Sequence, residues 1–122
     1  MTASILTVDD SPSIRVALKI ALTNAGYSVA EAGDGAEGIE KAKASAFDLI
    51  ITDLNMPVMD GLTMIEELRR MPDQTGVPIV FLTTESDQAM KDRAKAAGAT
   101  GWLTKPFDPE QLVRIAKKVL GR

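Results

Sequence analysis

Five residues could do chemistry together if the fold gathers them. Asp9 and Asp10 are adjacent, Asp53 stands far downstream, and Thr83 and Lys105 follow at wide intervals, each at the end of a short apolar run or just beyond it. Three clustered carboxylates repel, and their mutual charge raises at least one pKa unless a cation joins them. Oxygen ligands with neither imidazole nor thiolate favour magnesium, which keeps several waters and takes a few protein oxygens plus a phosphate oxygen. A magnesium ion, a further carboxylate, a hydroxyl and an ammonium make a device for phosphoryl transfer, where positioning and charge neutralisation supply most of the catalysis. In such a device Asp53 is the nucleophile and becomes an aspartyl phosphate. Lys105 neutralises phosphate oxygens, the Thr83 hydroxyl hydrogen-bonds another, and the metal bridges phosphate to Asp9, Asp10 and a nearby backbone carbonyl. Taken singly, an Asp after a strand is a turn residue or a helix N-cap. Only the joint placement of all five points to chemistry.

That placement depends on the elements. The apolar period alternates between short β-rich runs and helical stripes, which predicts strands over Ser4 to Val8, Tyr27 to Ala32, Phe47 to Thr52, Val77 to Thr83 and Gly101 to Thr104. Ser11 followed by Pro12 reads as an N-cap and first turn, and Ile14, Ala17, Leu18, Ala21 and Leu22 form one helical face that ends at Gly26. Further helices run through Ala36, Ile39 and Ala42, through Leu62, Ile65 and Leu68, and from about Ser86 to Ala97, the last with mostly alanines to bury. The final helix sets Leu112, Ile115, Ala116, Val119 and Leu120 on one face before Gly121. Strand and helix in alternation imply an α/β fold, a doubly wound (flavodoxin-like) five-stranded parallel sheet with five helices, since each crossover is right-handed and lays its helix on the sheet. The runs SILTV, FDLIIT and VPIVFLT suit central strands and GWLT and YSVAEA suit edges, giving the order 2-1-3-4-5. Ligands bind such a sheet beyond the carboxyl ends of its strands, at the switch between the first and third. Asp9, Asp10 and Asp53 fall there.

With 122 residues the chain has room for one domain, expected over 1–122. Its 25% charged and 45% apolar residues are those of an ordinary folded domain. The 14 Lys and Arg against 17 Asp and Glu give a net charge of -3, the wrong sign for binding nucleic acid through its phosphates. Zero Cys and zero His exclude disulfides, thiolate metal sites, and serine-hydrolase or zinc-hydrolase chemistry. No signal core or membrane-length apolar run is present, which gives the expectation of a cytoplasmic protein without membrane insertion.

The segments VDDSPSIR, DLIITDLNMPVMDG, IVFLTTES and GATGWLTKPFDPEQL resemble the motifs of response-regulator receiver domains, and the likeness runs from end to end. Single-domain chemotaxis regulators are the members most similar to it. The resemblance implies a two-component signalling switch, which catalyses only its own phosphorylation and dephosphorylation. Asp53 would accept a phosphoryl group from a sensor-kinase histidine. Asp10, Asp53 and the backbone carbonyl of Asn55 would hold magnesium, with Asp9 in support. It implies phosphate contacts for Thr83 and Lys105, a usually cis Pro106, and control of self-dephosphorylation by Asn55 and Glu85. Trp102 stands where many receivers carry a Tyr or Phe that turns inward on activation. Edge-strand packing of the large ring is its plain alternative. The family's output surface is the fourth helix, fifth strand and fifth helix, and the partner would be a flagellar motor switch protein or another phosphorelay protein.

Other readings share parts of the pattern. Gly33-Asp34-Gly35-Ala36-Glu37-Gly38 spells a dinucleotide-binding GxGxxG, although it follows an edge strand and the chain lacks a second mononucleotide half. A flavin binder would need a phosphate cradle after the first strand, where this chain is acidic. An aspartate-nucleophile phosphatase of the dehalogenase type would need a second acid where Asn55 stands. Met56, Met59, Met64 and Met71 read as loop filler and core plugs, and Lys91, Arg93 and Lys95 as a solvated helix face.

Overall fold

Residues 2–84 and 87–121 are described by the computed structural model. Five strands, β1 (Ser4–Val8), β2 (Ser28–Ala32), β3 (Leu49–Thr52), β4 (Ile79–Thr83) and β5 (Gly101–Thr104), alternate with helices α1 (Pro12–Asn24), α2 (Gly35–Ala44), α3 (Gly61–Arg69), α4 (Gln88–Ala96) and α5 (Pro109–Leu120). All pairings are parallel and the order is β2-β1-β3-β4-β5, as the sequence predicts.

Alternation along the strands divides the core. Ile5, Leu49, Ile51, Val80, Leu82 and Leu103 face α1 and α5, whose Leu18, Leu22, Leu112 and Ala116 complete one cluster. Leu6, Val8, Ile50, Ile79 and Phe81 point the other way, against Ile39 and Ala42 of α2, Met64, Ile65 and Leu68 of α3 and Ala94 of α4. Ala94 is the one residue of α4 that is buried. That helix therefore adds little apolar burial, at about 25 cal/mol per Å², in agreement with its alanine stripe. Each helix starts on a side-chain cap. Ser11, Asp34, Asp60, Asp87 and Asp108 each accept a hydrogen bond from a backbone N–H in the first turn.

Three strands start later than the sequence predicts. The Tyr27 amide turns back to the Leu22 carbonyl at 3.1 Å, closing α1 before β2 begins. Phe47 and Asp48 precede the ladder, Asp48 receiving the Ser4 amide on Oδ2 at 2.7 Å. Pro78 has no N–H to give a neighbour, so β4 begins at Ile79. A 3-10 turn over Pro72–Gln74, unforeseen from the sequence, lies between α3 and β4. The predicted start of the fourth helix at Ser86 lies outside the described residues, as does Glu85.

Candidate functional site

Backbone bonds at the carboxyl edge bring the acids together. The Asp9 amide donates to the Ala32 carbonyl at 3.0 Å and the Asp53 amide to the Val8 carbonyl at 2.8 Å, so the first residue beyond β3 is pinned to the last of β1. On the other side the Lys105 amide donates to the Thr83 carbonyl at 2.8 Å, continuing the β4–β5 ladder. Lys105 thus projects its ammonium across the end of β4. Its Nζ lies 2.8 Å from Asp9 Oδ2 and 3.1 Å from Asp53 Oδ2. Asp9, Asp10 and Asp53 each offer a carboxylate oxygen within 4.8 Å of the others.

The environments of these groups differ. Asp9 is buried, its Oδ1 accepts the Ser11 amide at 2.9 Å, and its Oδ2 is ion-paired with Lys105 outside hydrogen-bond geometry. Asp10 is exposed at the mouth of the cluster. Asp53 is buried and its Oδ1 accepts the Leu54 amide at 2.7 Å. Burial pushes the Asp53 carboxyl above its usual range, and the hydrogen bond and charge of Lys105 offset part of that rise. Burial alone would lower the Lys105 ammonium, but the facing Asp9 carboxylate and the hydrogen bond and charge of Asp53 outweigh burial and hold it above the usual lysine value.

Three carboxylates therefore face one ammonium, and one buried carboxylate oxygen lacks a hydrogen bond. These are the features a divalent cation relieves, and an all-oxygen donor set fits magnesium. Gly61 keeps the edge compact. A Cβ on it would sit 2.1 Å from the Asp53 carbonyl oxygen and 2.9 Å from Phe81 Cε1, so only glycine lets α3 start this close to the nucleophile candidate.

The remaining predicted residues lie around this core. Thr83 ends β4 fully buried, beside Thr104 in the ladder. Asn55 is exposed in the loop after β3. Pro106 follows Lys105 through a cis peptide bond. Trp102, partly buried on β5, packs its ring 5.8 Å from that of Phe81 at 53°. Two features of the site were not singled out from sequence. Arg15 donates a hydrogen bond to the Asp9 carbonyl. Val58 is 84% exposed in the same loop as Asn55, with a positive φ of 69°.

The glycine run before α2 is structural. The Gly33 amide donates to Glu37 Oε1 at 2.7 Å, the Gly35 amide to the Met59 carbonyl at 3.0 Å and the Glu37 amide to Asp34 Oδ1 at 2.8 Å. The donors a pyrophosphate would need are already taken. Gly38 lets α2 approach Val8 and Met64, a Cβ there falling 2.9 Å from Met64 Sδ. Met64 is buried, and Met56, Met59 and Met71 are partly buried against the core.

A sequence profile of the response regulator receiver domain matches residues 5–117. The chain belongs to the response regulator receiver family. Receivers are switches regulated by phosphorylation, and this receiver is of the CheY-like kind. It is 39% identical over 119 residues to the chemotaxis protein CheY1 of Helicobacter pylori, covering 96% of each chain. The structure of Vibrio cholerae CheY4 superposes with a TM-score of 0.94 at 45% identity, covering 98% of this receiver and 99% of that one. The receiver domain of the Pseudomonas aeruginosa sensor kinase PA1611, described with magnesium in its active-site cleft, superposes at 0.92 with 30% identity and full coverage of both chains. Other curated relatives are longer transcriptional regulators, and the receiver spans about half their length. Among its described residues no helix is long and apolar enough to cross a membrane.

Proposed function

We propose that this receiver, spanning 1–122 and cytoplasmic, takes a phosphoryl group on Asp53 from the phosphohistidine of a sensor kinase and thereby changes its affinity for a partner protein. The observation that carries the reading is the Lys105 ammonium set 3.1 Å from Asp53 Oδ2, with the Asp9 and Asp10 carboxylates in reach of the same point. In the transfer an Asp53 oxygen forms a bond to phosphorus as the phosphorus–nitrogen bond of the donor breaks. The imidazole leaves and takes up a proton. Lys105 neutralises charge on the phosphoryl oxygens, and the Thr83 hydroxyl donates to one of them. Magnesium, held by Asp10, Asp53 and the Asn55 carbonyl with Asp9 in support, would add the electrostatic stabilisation that a lone ammonium cannot supply. Hydrolysis returns Asp53 to the carboxylate, and Asn55 and Glu85 set how fast.

The phosphoryl group adds close to two negative charges at the sheet edge. The sparse burial of α4 supports a two-state response there, with Trp102 following Phe81 and the end of β4. The output surface is then α4, β5 and α5. The likeness to chemotaxis proteins of Helicobacter pylori and Vibrio cholerae favours a role in chemotaxis, with a flagellar motor switch protein as the target. A second role, phosphorelay intermediate or phosphate sink, shares the chemistry and differs in the partner.

Incubation with a small acyl phosphate, followed by intact mass and Trp102 fluorescence, tests the switch. A transient gain of one phosphoryl group that needs magnesium, accompanied by a change in emission, is expected. No gain from either the small donor or a sensor kinase, with folded protein, would return the cluster to a metal-binding or degenerate receiver site. Co-purification under phosphorylating conditions separates the roles, since a motor protein favours the first and a phosphotransfer protein alone the second.

A further inference from the structure

We propose that Arg15 is the positioning residue of the acidic cluster, clamping the peptide that joins Asp9 to Asp10 and so aiming both carboxylates at a common cation. The inference rests on the metal reading above. Arg15 reaches back from α1, and its Nη1 donates to the Asp9 carbonyl oxygen. Its Nε lies 3.5 Å from Glu31 Oε1 on β2, whose other oxygen lies 3.7 Å from Lys19 Nζ. The Arg15 side chain is 22% exposed, held between α1 and the end of β2.

The peptide is planar, so fixing the Asp9 oxygen fixes the plane shared with Asp10. Asp9 is held besides by its amide bond to Ala32, by the Ser11 amide and by Lys105. Asp10 is exposed, and its Cα is anchored by that plane on one side and, on the other, by the peptide whose Ser11 amide donates to Asp9 Oδ1. A planar fork with several donors suits this bridging better than a single ammonium.

Charge and positioning predict opposite signs. Arg15 is a cation near a cation site, and by Coulomb repulsion its removal should tighten metal binding. As a clamp, its removal should weaken binding by about tenfold, the scale on which residues that orient metal ligands act.

The test is the magnesium dissociation constant by titration calorimetry for the wild type, Arg15→Met and Glu31→Gln, with metal-free melting curves of each. Arg15→Met keeps the apolar stem and loses the clamp, whereas Glu31→Gln loses the ion pair and keeps the bond to the Asp9 carbonyl. The expected result is magnesium binding about tenfold weaker in Arg15→Met and within about twofold of wild type in Glu31→Gln, while both melt slightly lower. Should Arg15→Met fail to fold, Arg15→Lys, whose single head cannot bridge both partners, should show an intermediate constant. Unchanged or tighter binding in the Arg15 variant, or equal weakening in both variants, would overturn the inference. A folded wild type that binds no magnesium would overturn the metal reading itself, and this inference with it.

Discussion

Replacing Lys105 by Met removes the ammonium that faces the cluster while keeping most of the side-chain volume. The wild-type side chain is 14% exposed, against 1% for Asp9 and 10% for Asp53, so the pairing is largely sheltered from water. Deleting one partner of a fully buried ion pair costs about 3–5 kcal/mol, and the partial exposure here reduces that to roughly 2 kcal/mol. For a domain of this size that corresponds to a fall of roughly 6–10 °C in Tm in metal-free buffer. Asp9 and Asp53 are left repelling each other, so a divalent ion gains in affinity and millimolar magnesium should recover most of the loss. Melting with chelator and with magnesium, beside wild type, measures both effects. An unchanged metal-free Tm would refute the shared role of the ammonium. A deficit equally large with magnesium would refute the idea that metal and lysine neutralise the same charges.

Three further outcomes follow from particular residues. Asp53 holds its proton to higher pH in the folded protein than the usual 3.8, so its ionisation costs stability as pH rises through 3.8 to the raised value and at all higher pH. Asp53→Asn should therefore melt above wild type at pH 7 without metal, with the difference shrinking as pH falls from the raised value to 3.8; melting at several pH values checks the sign. Gly61→Ala would drive a Cβ into the Asp53 carbonyl at 2.1 Å and should cost ~3 kcal/mol or more, read by denaturant unfolding. Val58→Asn should stabilise by about 1 kcal/mol, because a β-branched residue at positive φ is strained and Asn is not; no rise in Tm would mean the loop absorbs the strain elsewhere.

The sheet order and the meeting of Asp9, Asp10, Asp53 and Lys105 were legible because they depend on signals local to each element. A strand ending in an acid, repeated at the first and third positions of a parallel sheet, leaves those acids one place to go. Strand starts were less legible. Phe47 and Val77 are as apolar as the ladder residues that follow, and only the return of a backbone amide or the missing N–H of Pro78 ends the pairing there. The role of Arg15 was hidden for a different reason. Its charge reads as helix surface until tertiary structure brings the Asp9 carbonyl and Glu31 to its two ends. The GxGxxG run misleads in the same way, because whether its amides are open or already bonded is decided by the Met59 carbonyl and the Glu37 side chain.

Asp53 is the proposed carrier of the phosphoryl group. After loading with a phosphodonor and magnesium, borohydride reduction converts an aspartyl phosphate to homoserine, which peptide mass spectrometry locates. Homoserine is expected at position 53 alone, absent when magnesium is chelated and absent in Asp53→Asn. Reduction at Asp9 or Asp10, or phosphoryl uptake that survives loss of the Asp53 carboxylate, would contradict it.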